Sequence, residues 1–125
     1  MGRLAALAPW YMLIQGLACV AWWAIVLVAP ARRDWFTAPG APDTTLFAFW
    51  FPDLVFLVVG SPLVAFGLWR ARPWARKALL FVAGGVTYAS LYCIFLTIHT
   101  GGAWGASVAM VPALFGTLAC VAATR

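Results

Sequence analysis

Few side chains in this sequence could take part in catalysis or ligand binding. Several of those that could lie at the ends of two apolar segments. Asp53 lies near the start of apolar segment 52–69, and His99, the only histidine, directly follows apolar segment 75–98. A carboxylate and an imidazole at one membrane depth would bind a cation, relay protons or perform acid–base chemistry on a lipid headgroup. The alternative is structural, with Asp53 starting one helix and His99 ending another. The other charged candidates on the same side of the membrane are Arg32, Arg33 and Asp34, and Asp43 also lies there.

A second set of candidates lies inside the apolar segments, where polar side chains are sparse. These residues are Gln15, Ser61, Tyr88 and Tyr92. The two tyrosines fall on one helical face, which either lines a ligand pocket or forms hydrogen bonds between helices. Ser61 precedes Pro62, so we expect its hydroxyl or a neighbouring helix to bond a carbonyl that the proline leaves free.

Several common kinds of site have no counterpart in the sequence. The cysteines at 19, 93 and 120 lie singly in apolar runs without a C-x-x-C pair, which indicates packing rather than thiol redox chemistry or zinc binding. One histidine cannot ligate a haem from both sides, and no glycine-rich phosphate loop is present. No Lys lies mid-membrane to form a retinal Schiff base, and no Glu lies there to serve as the central carboxylate of a proton-coupled exporter. We therefore expect neither a metal nor a cofactor.

The composition is typical of a membrane protein. Of the 125 residues, 66% are hydrophobic and 9% are charged, whereas soluble domains are about half apolar and about one quarter charged. A soluble core of this size could not bury so much apolar surface. The sequence predicts one all-α domain, 1–125, with four transmembrane helices. Their predicted ranges are 9–29, 52–69, 75–98 and 103–123, with Leu46 as an alternative start of the second.

Prolines and glycines mark the predicted boundaries. Pro9 and Pro52 suit the first turn of a helix, where the missing N–H costs no hydrogen bond. The loop 31–45 is rich in proline and glycine, so we expect it to lack regular structure. The apolar run at 9–29 is longer than the core of a signal peptide, which predicts a retained first helix.

The positive charges predict the orientation. The turn 70–77 holds four of the eight Lys and Arg residues. With this turn in the cytoplasm, six basic residues lie on the cytoplasmic side and two on the other, which satisfies the positive-inside rule. Both termini are then cytoplasmic, in a bacterial-type inner membrane. The net charge of +5 therefore indicates basic residues at the membrane edges, next to lipid headgroups, rather than a nucleic-acid-binding surface.

Small residues recur every fourth position on the third and fourth predicted helices. They are Gly85 and Ala89 on the third, and Gly105, Ala109 and Ala113 on the fourth. Such stripes let helix backbones approach closely. They indicate either contacts within one bundle or a docking face for a second copy or a partner membrane subunit.

Three short stretches carry a family resemblance: Arg-Pro-Trp-Ala at 72–75, Leu-Tyr-Cys at 91–93 and Thr-Gly-Gly-Ala-Trp at 100–104. In these the chain resembles the four-helix regions of bacterial isoprenylcysteine or phospholipid methyltransferases. The resemblance implies a similar helical membrane fold. The polar, charged C-terminal portion that holds the methyl donor in such proteins has no counterpart here, so the resemblance assigns methyl transfer to no residue.

Three functional hypotheses follow from these observations. The first is a non-enzymatic membrane protein that acts as a subunit or as a lipid- or partner-binding module. The second is a small homo-oligomeric transporter or channel that uses Asp53. The third is a membrane enzyme that acts on a lipid at the outer face, with Asp53 and His99 as acid–base groups.

Overall fold

The fold is an all-helical bundle. The computed structural model describes residues 2–125, and that part of the chain contains no strand. Four helices are long and apolar enough to cross a membrane: α1 (Arg3–Val28), α2 (Asp43–Trp69), α3 (Ala75–Thr100) and α4 (Trp104–Ala123). The prediction of four long apolar helices is confirmed. Met1, which the predicted domain includes, lies outside the described residues.

Each long helix packs on two others to close the bundle. α1 contacts α2, α2 contacts α3, α3 contacts α4, and α4 returns to α1. Trp10 near the start of α1 packs on Trp69 at the end of α2, so these two helices are antiparallel. Short connections make α2, α3 and α4 antiparallel in turn. One end of the bundle, here called the basic end, therefore carries the turn 70–77 together with the start of α1 and the end of α4. The opposite end, here called the loop end, carries the connections 29–42 and 101–103.

The first two helices begin earlier than predicted. α1 starts at Arg3 rather than at 9, because alanine-rich sequence favours helix and Pro9 removes only one hydrogen bond near the N-terminus. α2 starts at Asp43 rather than at 52 or 46. Its first turn follows Pro42, whose carbonyl accepts a 2.7 Å hydrogen bond from the Thr45 hydroxyl.

The long loop is more regular than its composition predicts. Residues Pro30–Phe36 form a 3₁₀ helix that lies against α1 and α4. The prediction that 31–45 lacks regular structure is therefore wrong for this part of it. Pro30 explains the difference, because a proline at the first helical position is already held in a helical φ and gives up no needed donor.

The turn from α3 to α4 follows the predicted chemistry. Gly101 adopts a left-handed φ of 70°, and its N–H donates to the Thr97 carbonyl at 2.9 Å. Glycine ends helices in this way because it has no Cβ to strain the left-handed conformation. α3 ends at Thr100 and α4 begins at Trp104, each within two residues of the prediction.

The two halves of the bundle differ in packing. In the basic half, Met12, Val64, Ala65, Leu79 and Val82 are at most 2% exposed and form a closed core. Tyr11, Gln15 and Ser61 lie at the boundary between this core and the loop half of the bundle. The loop half retains internal space. The closed half thus holds the four helices in fixed positions around that space.

Candidate functional site

Gln15 connects three helices through a buried hydrogen-bond network. Its amide Nε2 donates to Ser61 Oγ at 3.1 Å. Its Oε1 accepts from the Tyr11 hydroxyl at 2.8 Å and from Thr117 Oγ1 at 2.9 Å. The structure therefore unites two of the predicted intramembrane residues, Gln15 and Ser61. Since a satisfied polar network rigidifies an apolar interior, these bonds fix α1, α2 and α4 relative to one another.

The middle of α2 is widened next to this network. Residues Leu54–Val59 are π-helical, directly before Gly60 and Pro62. The Ser61 hydroxyl donates to the Phe56 carbonyl at 3.4 Å. Pro62 leaves free the carbonyl four or five residues before it, at Val58 or Leu57, so this bond is not the predicted one to a freed carbonyl. A Cβ at Gly60 would lie 2.7 Å from the Val55 carbonyl oxygen, so the wide turn requires glycine there. Single π-helical turns recur at functional sites.

A cavity of about 290 Å³ lies beside this network in the loop half. All four long helices and the 3₁₀ helix contribute to its wall. Its polar groups are few: the side chains of Tyr11, Gln15, Trp22, Asp53 and Tyr92 and the thiols of Cys19 and Cys93. The rest of the wall is apolar and includes Ile14, Leu46, Phe49, Leu57, Leu96 and Met110. An apolar cavity with a few polar groups is the usual form of a small-molecule site.

Exposed residues of the cavity wall lie on more than one side of the bundle, because Tyr92 on α3 is 45% exposed and others lie on α1 and α4. Ile14 and Ala18 on α1, and Ala109 and Pro112 on α4, line the cavity and are also exposed on the surface of the bundle. Ile14 is 61% exposed. The cavity wall therefore reaches the side of the bundle between α1 and α4, where the exposed residues are apolar.

Asp53 is the single carboxylate in the cavity wall. Its Oδ2 accepts a 2.9 Å hydrogen bond from Nε1 of Trp23, which is 6% exposed. Within residues 2–125, the one ion pair joins Arg33 to Asp43, so no basic side chain neutralises Asp53. A partly buried carboxylate with one neutral donor can bind a further donor or a cation.

Aromatic rings cluster around this carboxylate. Trp22, next to Trp23, packs edge to face on Phe36 at 5.2 Å between ring centroids. Phe49 lies one turn before Asp53 and packs on Tyr92 at 5.4 Å. Trp22 Nε1 is buried and has no hydrogen-bond partner among the described residues. The loop end of the cavity is therefore formed by π surfaces and one carboxylate.

The other predicted loop-end residues have separate partners. Arg33 donates to the Val26 carbonyl and to Asp43 Oδ2, both at 2.8 Å, and so ties α1 to α2. The Arg32 guanidinium stacks on the Trp35 ring at 4.4 Å. His99 is exposed, and its Nδ1 lies 2.9 Å from the carbonyl of Phe95 one turn earlier. Asp34 is exposed and makes no side-chain hydrogen bond within residues 2–125.

These placements show no direct contact between Asp53 and His99. No side-chain hydrogen bond or ion pair within the described residues joins any two of Asp53, His99, Arg32, Arg33 and Asp34. An acid–base pair of Asp53 and His99 therefore has no direct contact to support it. Of the five predicted loop-end residues, Asp53 alone lines the cavity.

The two predicted tyrosines lie in different parts of the structure. Tyr92 lines the cavity, whereas Tyr88 is 76% exposed beside a shallow apolar groove between α3 and α4. The small-residue stripes face other elements or the cavity, and Ala109 is in addition exposed at the surface. A Cβ at Gly85 or Gly105 would overlap the rings of Phe56 and Phe36, respectively, and Ala89, Ala109 and Ala113 line the cavity. The stripes thus support the hypothesis of contacts within one bundle.

Sequence reasoning missed the residues that complete the site. They are Tyr11, Trp22, Trp23, Phe36, Phe49 and Thr117. One signal for them was present, because Tyr11, Gln15, Cys19 and Trp22 follow the spacing of a single helical face on α1. The partners on α2 and α4 lie far away in sequence and give no such pattern.

Comparisons with protein-family models, with curated proteins and with solved structures found no match to this chain.

Proposed function

We propose that this chain is an integral membrane protein that binds a lipophilic small molecule in the cavity of its loop half. The observation that carries the proposal is the cavity of about 290 Å³ lined by all four long helices. Ligand pockets begin at roughly 300 Å³ and combine apolar walls with a few polar groups. This is the lipid-binding form of a non-enzymatic role, since no contact among the described residues assembles a catalytic pair.

The outer surface supports a membrane location. Many large apolar side chains on all four helices are exposed, among them Leu17, Phe81, Phe95 and Phe115. Helices that are apolar on every side are stable where lipid surrounds them. The basic end carries most of the positive charge, which supports a cytoplasmic position for that end and for both termini, in a bacterial-type inner membrane.

The exposed apolar residues of the cavity wall on α1 and α4 support access from the bilayer. An apolar molecule dissolved in lipid would reach the cavity between α1 and α4 without crossing the polar ends of the bundle. The groove on α3 and α4, lined by residues that include Leu80, Gly84 and Tyr88, lies on a different face. Association with a second copy or a partner membrane subunit through α3 and α4 would therefore leave the side between α1 and α4 free.

A pocket-filling substitution tests the proposal. Ala109→Phe places a ring at an exposed part of the cavity wall, whereas Ala119→Phe adds the same ring to another exposed site on α4 that does not line the cavity. The probe is a fatty alcohol bearing a photoreactive diazirine, with labelled peptides mapped by mass spectrometry. We expect labelling of the cavity wall in the parent chain, a several-fold loss in Ala109→Phe and no loss in Ala119→Phe.

The opposite pattern would contradict the proposal. Labels spread evenly over outward residues such as Leu118, with the same distribution in all three proteins, would show that the alcohol contacts the bundle only as surrounding lipid does.

A further inference from the structure

We infer that the ligand of this cavity is a lipophilic ammonium compound whose cationic group binds against Asp53. The inference rests on the proposed function and deepens it, because it names the chemical class of the ligand. Three properties of the cavity carry it: an unneutralised carboxylate, a wall of aromatic rings and the absence of a basic side chain from that wall.

The carboxylate is the first property. Asp53 belongs to the wall of an otherwise apolar cavity, and its one hydrogen-bond donor among the described residues is the neutral Trp23 indole. The positive groups of the loop end are engaged elsewhere, Arg33 with Asp43 and Arg32 with Trp35. Because a buried charge needs a partner, a cationic ligand completes this site in a way that a neutral one does not.

The aromatic wall is the second property. Trp22, Phe36, Phe49 and Tyr92 all line the cavity. The negative face of an aromatic ring attracts a cation, most strongly when water is excluded, and aromatic cages bind quaternary ammonium groups in this way. An ammonium group would therefore gain from the rings as well as from Asp53, while the apolar remainder of the cavity accepts an alkyl or ring system.

The wall disfavours the other charged ligands. No Lys or Arg lines the cavity, so a phosphate, sulfate or carboxylate group would meet Asp53 without a counter-charge. A hard inorganic cation needs about six oxygen ligands, whereas this wall offers one carboxylate. A zwitterionic lipid headgroup contains an ammonium but also brings an unpaired phosphate. An ammonium compound without an anionic group is thus favoured over a zwitterionic lipid headgroup as the source of the cation.

Competition for the photoreactive alcohol tests the inference in the full chain in dodecyl maltoside micelles. The competitors share a dodecyl chain and differ in the headgroup: dodecyltrimethylammonium, dodecanol, dodecyl sulfate and dodecylphosphocholine. We expect the ammonium compound to displace the label at a concentration about tenfold below that of dodecanol. Dodecyl sulfate and dodecylphosphocholine should be no better than dodecanol.

Matched variants identify the residue responsible. Asp53→Asn keeps a carbonyl oxygen for the Trp23 bond and removes the charge, so the preference for ammonium should fall to near parity with dodecanol. Asp53→Glu keeps the charge and should keep the preference. Asp34→Asn removes an exposed carboxylate outside the cavity and should change nothing.

The outcomes separate this inference from the proposed function. Equal displacement by the ammonium compound and dodecanol in the parent chain would overturn the inference and leave the lipophile site standing, as would a preference that survives Asp53→Asn. Failure of every alkyl competitor to displace label from the cavity would overturn both. The ranking of the competitors in the parent chain tests the inference even if the Asp53→Asn variant does not fold.

Discussion

At the scale of single residues, two adjacent tryptophans have opposite hydrogen-bonding states. Trp23 Nε1 donates to Asp53 at 2.9 Å, while Trp22 Nε1 is buried without a partner among the described residues. The two rings pack edge to face on each other with centroids 4.8 Å apart. The same substitution at these neighbours therefore measures what the bond to Asp53 contributes.

We predict that Trp23→Phe destabilises the protein by about 1.5–3 kcal/mol more than Trp22→Phe does, because hydrogen bonds to charged groups contribute that much and removing one partner strands the other. Each change removes one indole N–H and a similar ring area. Chemical unfolding in mixed micelles compares the two free energies. Equal losses would show that the Trp23–Asp53 bond does not hold the carboxylate in place.

Residue chemistry alone could predict part of the site. An aspartate in an apolar segment is costly enough to single out Asp53, and Gln15 and Ser61 were identifiable for the same reason. The sequence placed Asp53 and His99 at a similar membrane depth but could not show that only Asp53 lines the cavity. The depth of a residue at a helix end does not determine the direction of its side chain. The Phe95 carbonyl holds the His99 ring on its own helix.

At the scale of elements, the crossing of α1 and α2 depends on a glycine against a proline. A Cβ at Gly16 would lie 2.7 Å from Pro62 Cδ and 3.1 Å from the Leu57 carbonyl oxygen. Gly84, inside α3, has nothing within 4 Å of the same position. Close approach of these backbones keeps Gln15 within reach of Ser61, so the contact also positions the polar network beside the cavity.

Alanine substitutions at Gly16 and Gly84 should change the stability of the protein in opposite directions. Gly16→Ala forces α1 and α2 apart, and overpacking of this kind costs about 1–3 kcal/mol. Gly84→Ala meets open space, and the higher helix propensity of alanine stabilises by about 0.5–1 kcal/mol. Thermal unfolding in micelles measures both. A Gly16→Ala protein as stable as the Gly84→Ala protein would contradict the close crossing.

Sequence patterns located the long helices better than the irregular parts of the chain. Apolar length indicated all four spans, and Gly101 ended α3 as expected. The prediction that Pro9 and Pro52 mark helix starts placed the starts of α1 and α2 too late, because both prolines lie inside helices that continue through them. Pro30 favours the start of the 3₁₀ helix, but the packing of that helix on α1 and α4, and of the π-helical turn on α1 and α3, is not contained in a local pattern.

At the scale of the whole molecule, the bundle divides into a closed half and a half with a cavity. The basic half packs residues such as Val64 and Leu79 without exposure, and the Arg76 guanidinium donates to the Thr124 carbonyl at 2.7 Å, which ties α3 to the end of α4. The loop half instead encloses space beside Asp53. Composition predicted the helix number but could not predict this division, which arises from contacts between distant segments.

The central claim is that the loop half holds one discrete ligand site, and the stoichiometry of binding tests it most directly. Isothermal titration of the full chain in dodecyl maltoside micelles with dodecyltrimethylammonium should saturate at one molecule per chain. The same should hold for Ala119→Phe, and no saturable binding should remain in Ala109→Phe. Identical, non-saturating heats in all three proteins would show that the compound only partitions into the micelle, and would contradict the claim.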